Sequence, residues 1–403
     1  MKRIAQGQSF RNIRDRGSVY IDKTREISLL ISKGSRLFIS RPRRFGKSLM
    51  LNTIRTLFES GTEQYFRDTW IYGRWKEDKY PVLMLSFLDL GFTLESFRRR
   101  LCLVLNIFAE RLHLDACNEG MSAGECLTSL FSALRKSGRQ IVILIDEYDC
   151  QLCACRSDPE SYERFRKEIS SLFEIMKGQE CVRFLCVTGV TRLKETAVFS
   201  DEPEIRDVSY ESDLACIAGF TPEETGKYYA EHIGFAAALM KGMPGGPVSD
   251  EERGRLLLRL SAEYGGFCFG QAADRKVLST WSVSRFFSEA MLRKDARFGN
   301  YWFESGGMPD FLRRYIENLA MEHGALPQDI SVPADAFLSP PSLIGMNDDV
   351  LMCETGYLTL KSPIPAGSGC VMLGFPNDEI RRSAETKLRA EMLRRDQLSG
   401  TSE

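Results

Sequence analysis

Histidine is almost missing from this chain: His113, His232 and His323 stand far apart along 403 residues. That leaves little material for histidine-built metal sites or for a Ser-His-Asp arrangement. Long apolar runs are missing as well. No stretch approaches the ~20 residues that cross a bilayer. The opening "MKRIAQGQSFRNIRDRGSVY" lacks the apolar core of a secretory signal, so a cytoplasmic protein with no membrane association is expected. Net charge is nearly absent, with 54 Lys and Arg against 55 Asp and Glu. It therefore gives no global reason to expect nucleic-acid binding. Twelve cysteines are scattered rather than spaced as the framework of a small secreted domain, which suits free thiols in a reducing compartment. Cys150, Cys153 and Cys155 cluster, but no second cysteine or histidine pair is near enough in sequence to close a tetrahedral zinc site. Internal repeats and low-complexity segments are also lacking.

What is present points elsewhere. A chain this long exceeds what one core usually serves, so two or three domains are expected. Its 43% hydrophobic and 27% charged residues fall in the ordinary globular range. Charge is uneven, however: residues 1–57 carry 14 Lys and Arg against 3 Asp and Glu. The simplest reading of that pole is a phosphate-attracting surface, with a nucleic-acid backbone as a second candidate.

Four continuous apolar runs read as strands covered on both faces: "RLFIS", 80–90, 139–149 and 181–192, with a weaker fifth at 214–221. Helical spacing separates them, for instance in "YIDKTREISLLISKG", where Asp22 or Thr24 is the expected cap and Gly34 the stop. These features predict an α/β, three-layer domain with a mostly parallel sheet over 1–235. The Gly/Pro cluster "KGMPGGPVSDEE" at 241–252 reads as a linker. Residues 250–403 read as mainly helical, with a small β-rich part in "CETGYLTLKS" and "CVMLGFPND" and a charged helix over about 379–397.

The stretch "LFISRPRRFGKSLML" (37–51) has the order strand, turn, Gly46-Lys47-Ser48, helix that a phosphate loop requires. Its backbone N–H groups from Arg43, Arg44 and Phe45 through Leu49 would hold phosphate oxygens. Lys47 would reach the β- and γ-phosphates, and Ser48 would ligate Mg²⁺. The usual first glycine is missing: Arg41 stands there, followed by Pro42. Proline disfavours the helical region for the preceding residue, so the strand is expected to run extended through Arg41, where no positive φ is needed. Arg43 and Arg44 flank the turn, facing phosphate, a neighbouring subunit or solvent. "IVILID" places Asp146 at the end of a buried strand as a second metal-supporting residue, and Glu147 follows as the candidate that orients and deprotonates water. In "FLCVTGVTRL", Thr188 is a candidate reader of the γ-phosphate and Arg192 a candidate source of positive charge.

Together, "YIDKT", "SRPRRFGKSLML", "PVLMLSFLDL", "ILIDEYD", "TGVTRL", "NYWFESGGMPDFL", "GYLTLKS" and "LGFPNDEIR" resemble, in that order, the bacterial AAA-ATPase-like family. The resemblance spans nearly the whole chain. It implies a P-loop NTPase fold, ATP and Mg²⁺ as ligands, and relatives that often carry a C-terminal PD-(D/E)XK-type nuclease domain. ATP over GTP is implied by the resemblance; no guanine-reading Asn-Lys-x-Asp is found. The nuclease domain is expected to be absent, because Asp378, Glu385 and Lys387 fall in a helical pattern rather than on a core strand. A homo-oligomer, an effector protein or DNA are the partners to weigh. The alternative to an ATPase is a nucleotide-gated binding or scaffold protein with little hydrolysis of its own.

Overall fold

The structure, a computed structural model, describes residues 1–5, 9–115, 120–193, 205–304, 310–322 and 325–400. His323 and positions 305–309 of the "NYWFESGGMPDFL" motif lie outside them. The N-terminal half runs α1 (Phe10–Asp15), α2 (Thr24–Ser32), β1 (Arg36–Ser40), α3 (Lys47–Ser60), β2 (Val82–Ser86), α4 (Leu94–Arg111), α5 (Ala123–Lys136), β3 (Ile141–Asp146), α6 (Cys150–Ala154), α7 (Pro159–Met176), β4 (Val182–Gly189) and β5 (Arg206–Asp207). The five strands form one parallel sheet in the order β2-β3-β4-β1-β5.

Three layers follow from strand periodicity. Successive side chains of a strand point to opposite faces. Ile141, Ile143 and Ile145 of β3 join one core with Phe97, Leu101 and Leu105 of α4, Leu127 of α5 and Ile169 of α7. Val142 and Leu144, between them, join a second core with Leu51, Ile54 and Phe58 of α3. All six residues of β3 are buried, which is why its sequence reads as an unbroken apolar run. The helices start on side-chain caps: Ser122 and Glu125 form a capping box on α5, and Asp158 caps α7 ahead of Pro159.

The expected fifth strand is the element the structure corrects. Residues 214–221 are not part of the sheet. Leu214, Ala215, Cys216, Ile217 and Ala218 are buried in the second core as a short 3-10 turn and irregular chain. The sheet position goes to β5, two exposed residues beside β1. An apolar run reports burial, and burial does not require extended backbone.

A helical unit follows, α8 (Pro222–Tyr228), α9 (Ala230–Met240) and α10 (Asp250–Tyr264), then the hairpin β6 (Phe267–Cys268) and β7 (Lys276–Val277), and α11 (Thr280–Arg293). Its core, including Tyr229, Ile233, Leu260 and Phe286, also takes in Val19 and Ile21 from the N-terminal segment. The Gly/Pro-rich residues 241–249 turn between α9 and α10, which pack on each other.

The remainder comprises α12 (Tyr301–Glu304), α13 (Asp310–Glu322), β8 (Ile330–Pro333), α14 (Ala334–Leu338), α15 (Asp348–Glu354), β9 (Thr359–Leu360), β10 (Cys370–Gly374) and α16 (Asp378–Gly400). Its three strands pair antiparallel in the order β8-β10-β9. Glu385 and Lys387 lie on α16, as the helical pattern predicts. Among the described residues, no helix is long and apolar enough to cross a membrane.

Candidate active site

The loop after β1 is built around Arg41 rather than around a glycine. The Arg41 N–H continues the sheet, donating to Gly189 O at 3.1 Å, so the chain stays extended there as expected. The side chain then turns into the core. Its guanidinium donates to Ser40 O at 2.8 Å, Ser209 O at 2.6 Å and Leu214 O at 3.0 Å, and lies 4.8 Å from the Phe269 ring centroid. Burial pulls its pKa down to about 10. Arg41 therefore braces the loop from beneath by satisfying carbonyls of three separate segments.

The tight turn comes later. Arg44 has φ 70° and Gly46 φ 89°, both left-handed. A Cβ on Gly46 would meet no atom within 4 Å, so the need for glycine there is conformational rather than steric. Between them Phe45 is buried edge-on against Phe267 and Phe269, with ring centroids 4.7 and 5.0 Å away. Its carbonyl accepts the Gly219 N–H at 3.0 Å.

Lys47 opens α3, whose first N–H groups have no partners within the helix. Its Nζ donates to Arg41 O at 2.8 Å and Pro42 O at 3.0 Å. The side chain is buried, and burial lowers its pKa, with Asp146 opposing. It makes no ion pair with any described residue. Lys47, Ser48, Leu49, Arg43, Gly46 and Glu147 all line one cleft of about 630 Å³, a size ordinary for a nucleotide-scale ligand. Ser48 is exposed to it.

The acidic side comes from the end of β3. Asp146 is buried and accepts the Thr188 hydroxyl at 2.6 Å. Glu147 is half-buried with φ 54°, a conformation that strains a non-glycine residue. Burial raises its pKa, Asp146 adds to the rise, and the Lys47 and Arg43 charges oppose it. Two residues on, Asp149 is buried and accepts Val190 N at 3.1 Å, Thr191 N at 2.7 Å and Thr191 Oγ1 at 2.6 Å. It ties the end of β3 to the segment after β4, a role for which the sequence offers only the fourth position of "DEYD".

The candidate residues thus divide. Arg43, Gly46, Lys47, Ser48, Leu49 and Glu147 meet at the cleft, with Asp146 close by. Thr188, fully buried, spends its hydroxyl on Asp146 rather than facing the cleft. Phe45 anchors the loop through its ring. Arg44 lines the cleft, but its guanidinium turns to the carbonyls of Tyr301 and Trp302. Arg192 is not brought to the cleft at all. It is buried in an ion pair with Glu354, Nε to Oε1 2.9 Å, and donates to Phe337 O. A desolvated guanidinium needs those partners, and they lie on α14 and α15. Ser48 and Asp146 offer the hard oxygen donors that Mg²⁺ takes, and the buried Lys47 ammonium without a carboxylate suits a bound anion.

A parallel sheet whose β1 leads through a Gly-Lys-Ser turn into a helix, with an acid ending β3, defines the P-loop NTPase fold. Residues 6–199 match the model of the AAA-ATPase-like family, described as a predicted AAA-ATPase. The chain is also 28% identical, over 386 residues, to an uncharacterized protein in the vnfD 5′ region of Azotobacter chroococcum mcd 1, covering 94% of this chain and 68% of that one. Among solved structures it is similar to Cdc6p from Pyrobaculum aerophilum, at 10% identity and TM-score 0.31, covering 92% of this chain and 93% of that one. It is likewise similar to the ADP form of the Aeropyrum pernix ORC2 protein, at 13% identity and TM-score 0.36, covering 95% and 98%.

Proposed function

We propose that this chain is an ATP-binding, Mg²⁺-dependent ATPase that couples nucleotide binding and hydrolysis to a conformational change between its α/β part and the helical remainder. The observation that carries the reading is Lys47, a buried ammonium held, among the described residues, only by two loop carbonyls beside a cleft it shares with Ser48 and Glu147. Burying a cation without a carboxylate costs several kcal/mol, and an anion in the cleft offsets that cost. The N–H groups from Gly46 to Leu49 and the α3 dipole suit phosphate oxygens, and Arg43 adds charge at the mouth. Ser48 and Asp146 are the residues to hold Mg²⁺, which when bound neutralises charge on the phosphate oxygens. Thr188 fixes the orientation of Asp146 by donating to one of its oxygens. Glu147, with its raised pKa, accepts the proton of the attacking water. The apolar end of the cleft, with Val19, Ile21, Ile217 and Trp281, suits a nucleobase; adenine is taken from the family.

Turnover tests this. Purified protein should hydrolyse ATP with Mg²⁺ and stop when the metal is chelated. Lys47→Ala should lose ATP binding, while Glu147→Gln should bind ATP and turn over at least about a hundredfold more slowly. Equal rates in all three proteins refute the assigned roles.

A second reading, a nucleotide-gated binding protein with slow hydrolysis, is favoured by one observation: Arg192 and Arg44 are both engaged away from the phosphates. A cationic group supplied by another subunit would then complete the site. An ATPase rate per molecule that rises with protein concentration supports this reading, and a concentration-independent rate removes it.

A further inference from the structure

The phosphate loop and the last helix are joined by a circuit of hydrogen bonds, closed through the first turn of α11, that is buried at Glu379 and partly buried at Arg44. The carbonyl of Arg44 accepts Thr280 Oγ1 at 2.6 Å. Thr280 opens α11, and on the same turn Ser282 donates its hydroxyl to Glu379 Oε2 at 3.0 Å. The other oxygen of Glu379 accepts the Trp302 N–H at 2.8 Å. The carbonyl of Trp302 accepts the Arg44 guanidinium, which also reaches Tyr301 O at 3.2 Å. The circuit so returns to the residue where it began.

Its members are poorly placed to yield separately. Ser282, Trp302 and Glu379 are buried, and the Arg44 guanidinium lies 5.7 and 5.8 Å from the ring centroids of Trp281 and Trp302. Breaking one link strands a buried polar group, which costs more than the link itself contributes. Arg44 also carries one of the two left-handed residues of the loop, so any rotation of the peptide planes that grip phosphate moves its carbonyl and Cα. With Arg44 lining the cleft and Glu379 in the first turn of α16, a displacement at one end has a short, stiff route to the other.

We propose that Arg44, Thr280, Ser282, Trp302 and Glu379 form a coupling ring through which occupancy of the phosphate loop sets the docking of α16, making α16 the helix that nucleotide controls. The proposal rests on the reading of the loop as an ATP site. Arg44 and Glu379 are positioning residues in it; Glu379 does not line the cleft.

Hydrogen exchange of the full chain, with nucleotide binding measured separately by calorimetry, tests the ring. In the wild type, a saturating non-hydrolysable ATP analogue with Mg²⁺ should slow exchange of amides 381–390 by about fivefold. Glu379→Ala should bind the analogue as the wild type does while its α16 amides no longer respond. Glu379→Gln, whose amide can accept from Trp302 and donate to Ser282, should restore the response. If Glu379→Ala does not fold, Thr280→Val, which opens the ring on its other side, must weaken the α16 response at saturating analogue. Wild-type protein that binds analogue with α16 unresponsive overturns the ring alone, as does Glu379→Ala responding like wild type or Thr280→Val leaving the response intact. Wild-type protein that binds no nucleotide overturns the ATPase reading and the coupling with it.

Discussion

Glu147 combines a strained backbone with an unusual titration, and both follow from its place one residue past a buried strand. The φ of 54° turns it out of line with β3, and burial next to Asp146 raises its pKa above the ordinary 4.5. If it is the base, it must be ionised to act, so catalysis is present above its pKa and fades as pH falls through it. The dependence of kcat/KM on pH in the folded range should show an acid limb of slope one, with a midpoint above 4.5. Full activity persisting below that value, in protein shown to be folded by circular dichroism, removes Glu147 from the role. That Lys47, Ser48 and Glu147 share one cleft, with Asp146 next to it, was legible in the sequence because each follows the end of a buried strand in a local pattern. Arg44 and Arg192 were not: the guanidinium partners lie 258 and 162 residues away, and nothing near either arginine announces them.

At the scale of elements, four of the five strands were readable because covered parallel strands are continuous apolar runs. The fifth failed for a reason of packing. Residues 214–218 are as apolar as a strand, yet they serve as the floor under Phe45, while β5 has two exposed residues and no apolar signature. The contact that fixes this floor is Gly219. Its φ of 90° is unfavourable for any other residue, and a Cβ there would stand 2.5 Å from Val277 Cγ2 and 3.2 Å from a Phe45 ring carbon. Its N–H also holds the Phe45 carbonyl. Gly219→Ala should therefore cost about 2–4 kcal/mol, from strained backbone plus overpacking against Val277, and should weaken ATP binding because Phe45 of the phosphate loop is crowded as well and its carbonyl is held by the Gly219 N–H. Urea unfolding and calorimetric titration read the two effects. A variant with wild-type stability and affinity would show that the floor does not set the loop.

For the molecule as a whole, charge and ion pairing were the least legible features. Part of the basic pole of residues 1–57 is paired with acids from further along the chain: Arg11 pairs with Glu59, Arg14 with Asp68, Lys23 with Glu224, and Lys33 with Glu211 and Asp213. At the cleft itself Lys47 and the exposed Arg43 carry positive charge with no ion pair to a described residue.

The one deeply buried pair among those described, Arg192 with Glu354, joins the segment after β4 to α15, and so fastens the sheet to the C-terminal part. Burial raises the Glu354 carboxyl, to about 7, while the adjoining guanidinium works against that rise. The pair is held by two links to Glu354, from the backbone N–H and from Nε of Arg192, and the guanidinium is further held by the carbonyls of Phe337 and Leu338. Such a pair adds little net stability over an apolar replacement, but breaking one side leaves an uncompensated charge in the interior. Arg192→Met and Glu354→Leu should each lower the unfolding free energy by about 3–5 kcal/mol, and the double substitution by clearly less than their sum. Urea unfolding of the four proteins measures the coupling. Strict additivity, or single losses below about 1 kcal/mol as at exposed pairs, would show that the fastening lies in the apolar contacts around Phe337 and Tyr210 instead. Because the same strand end carries Thr188 and hence orients Asp146, the single variants should also raise the Mg²⁺ concentration needed for half-maximal ATPase activity, whereas a purely mechanical role in joining the two parts leaves that concentration unchanged in whatever fraction stays folded.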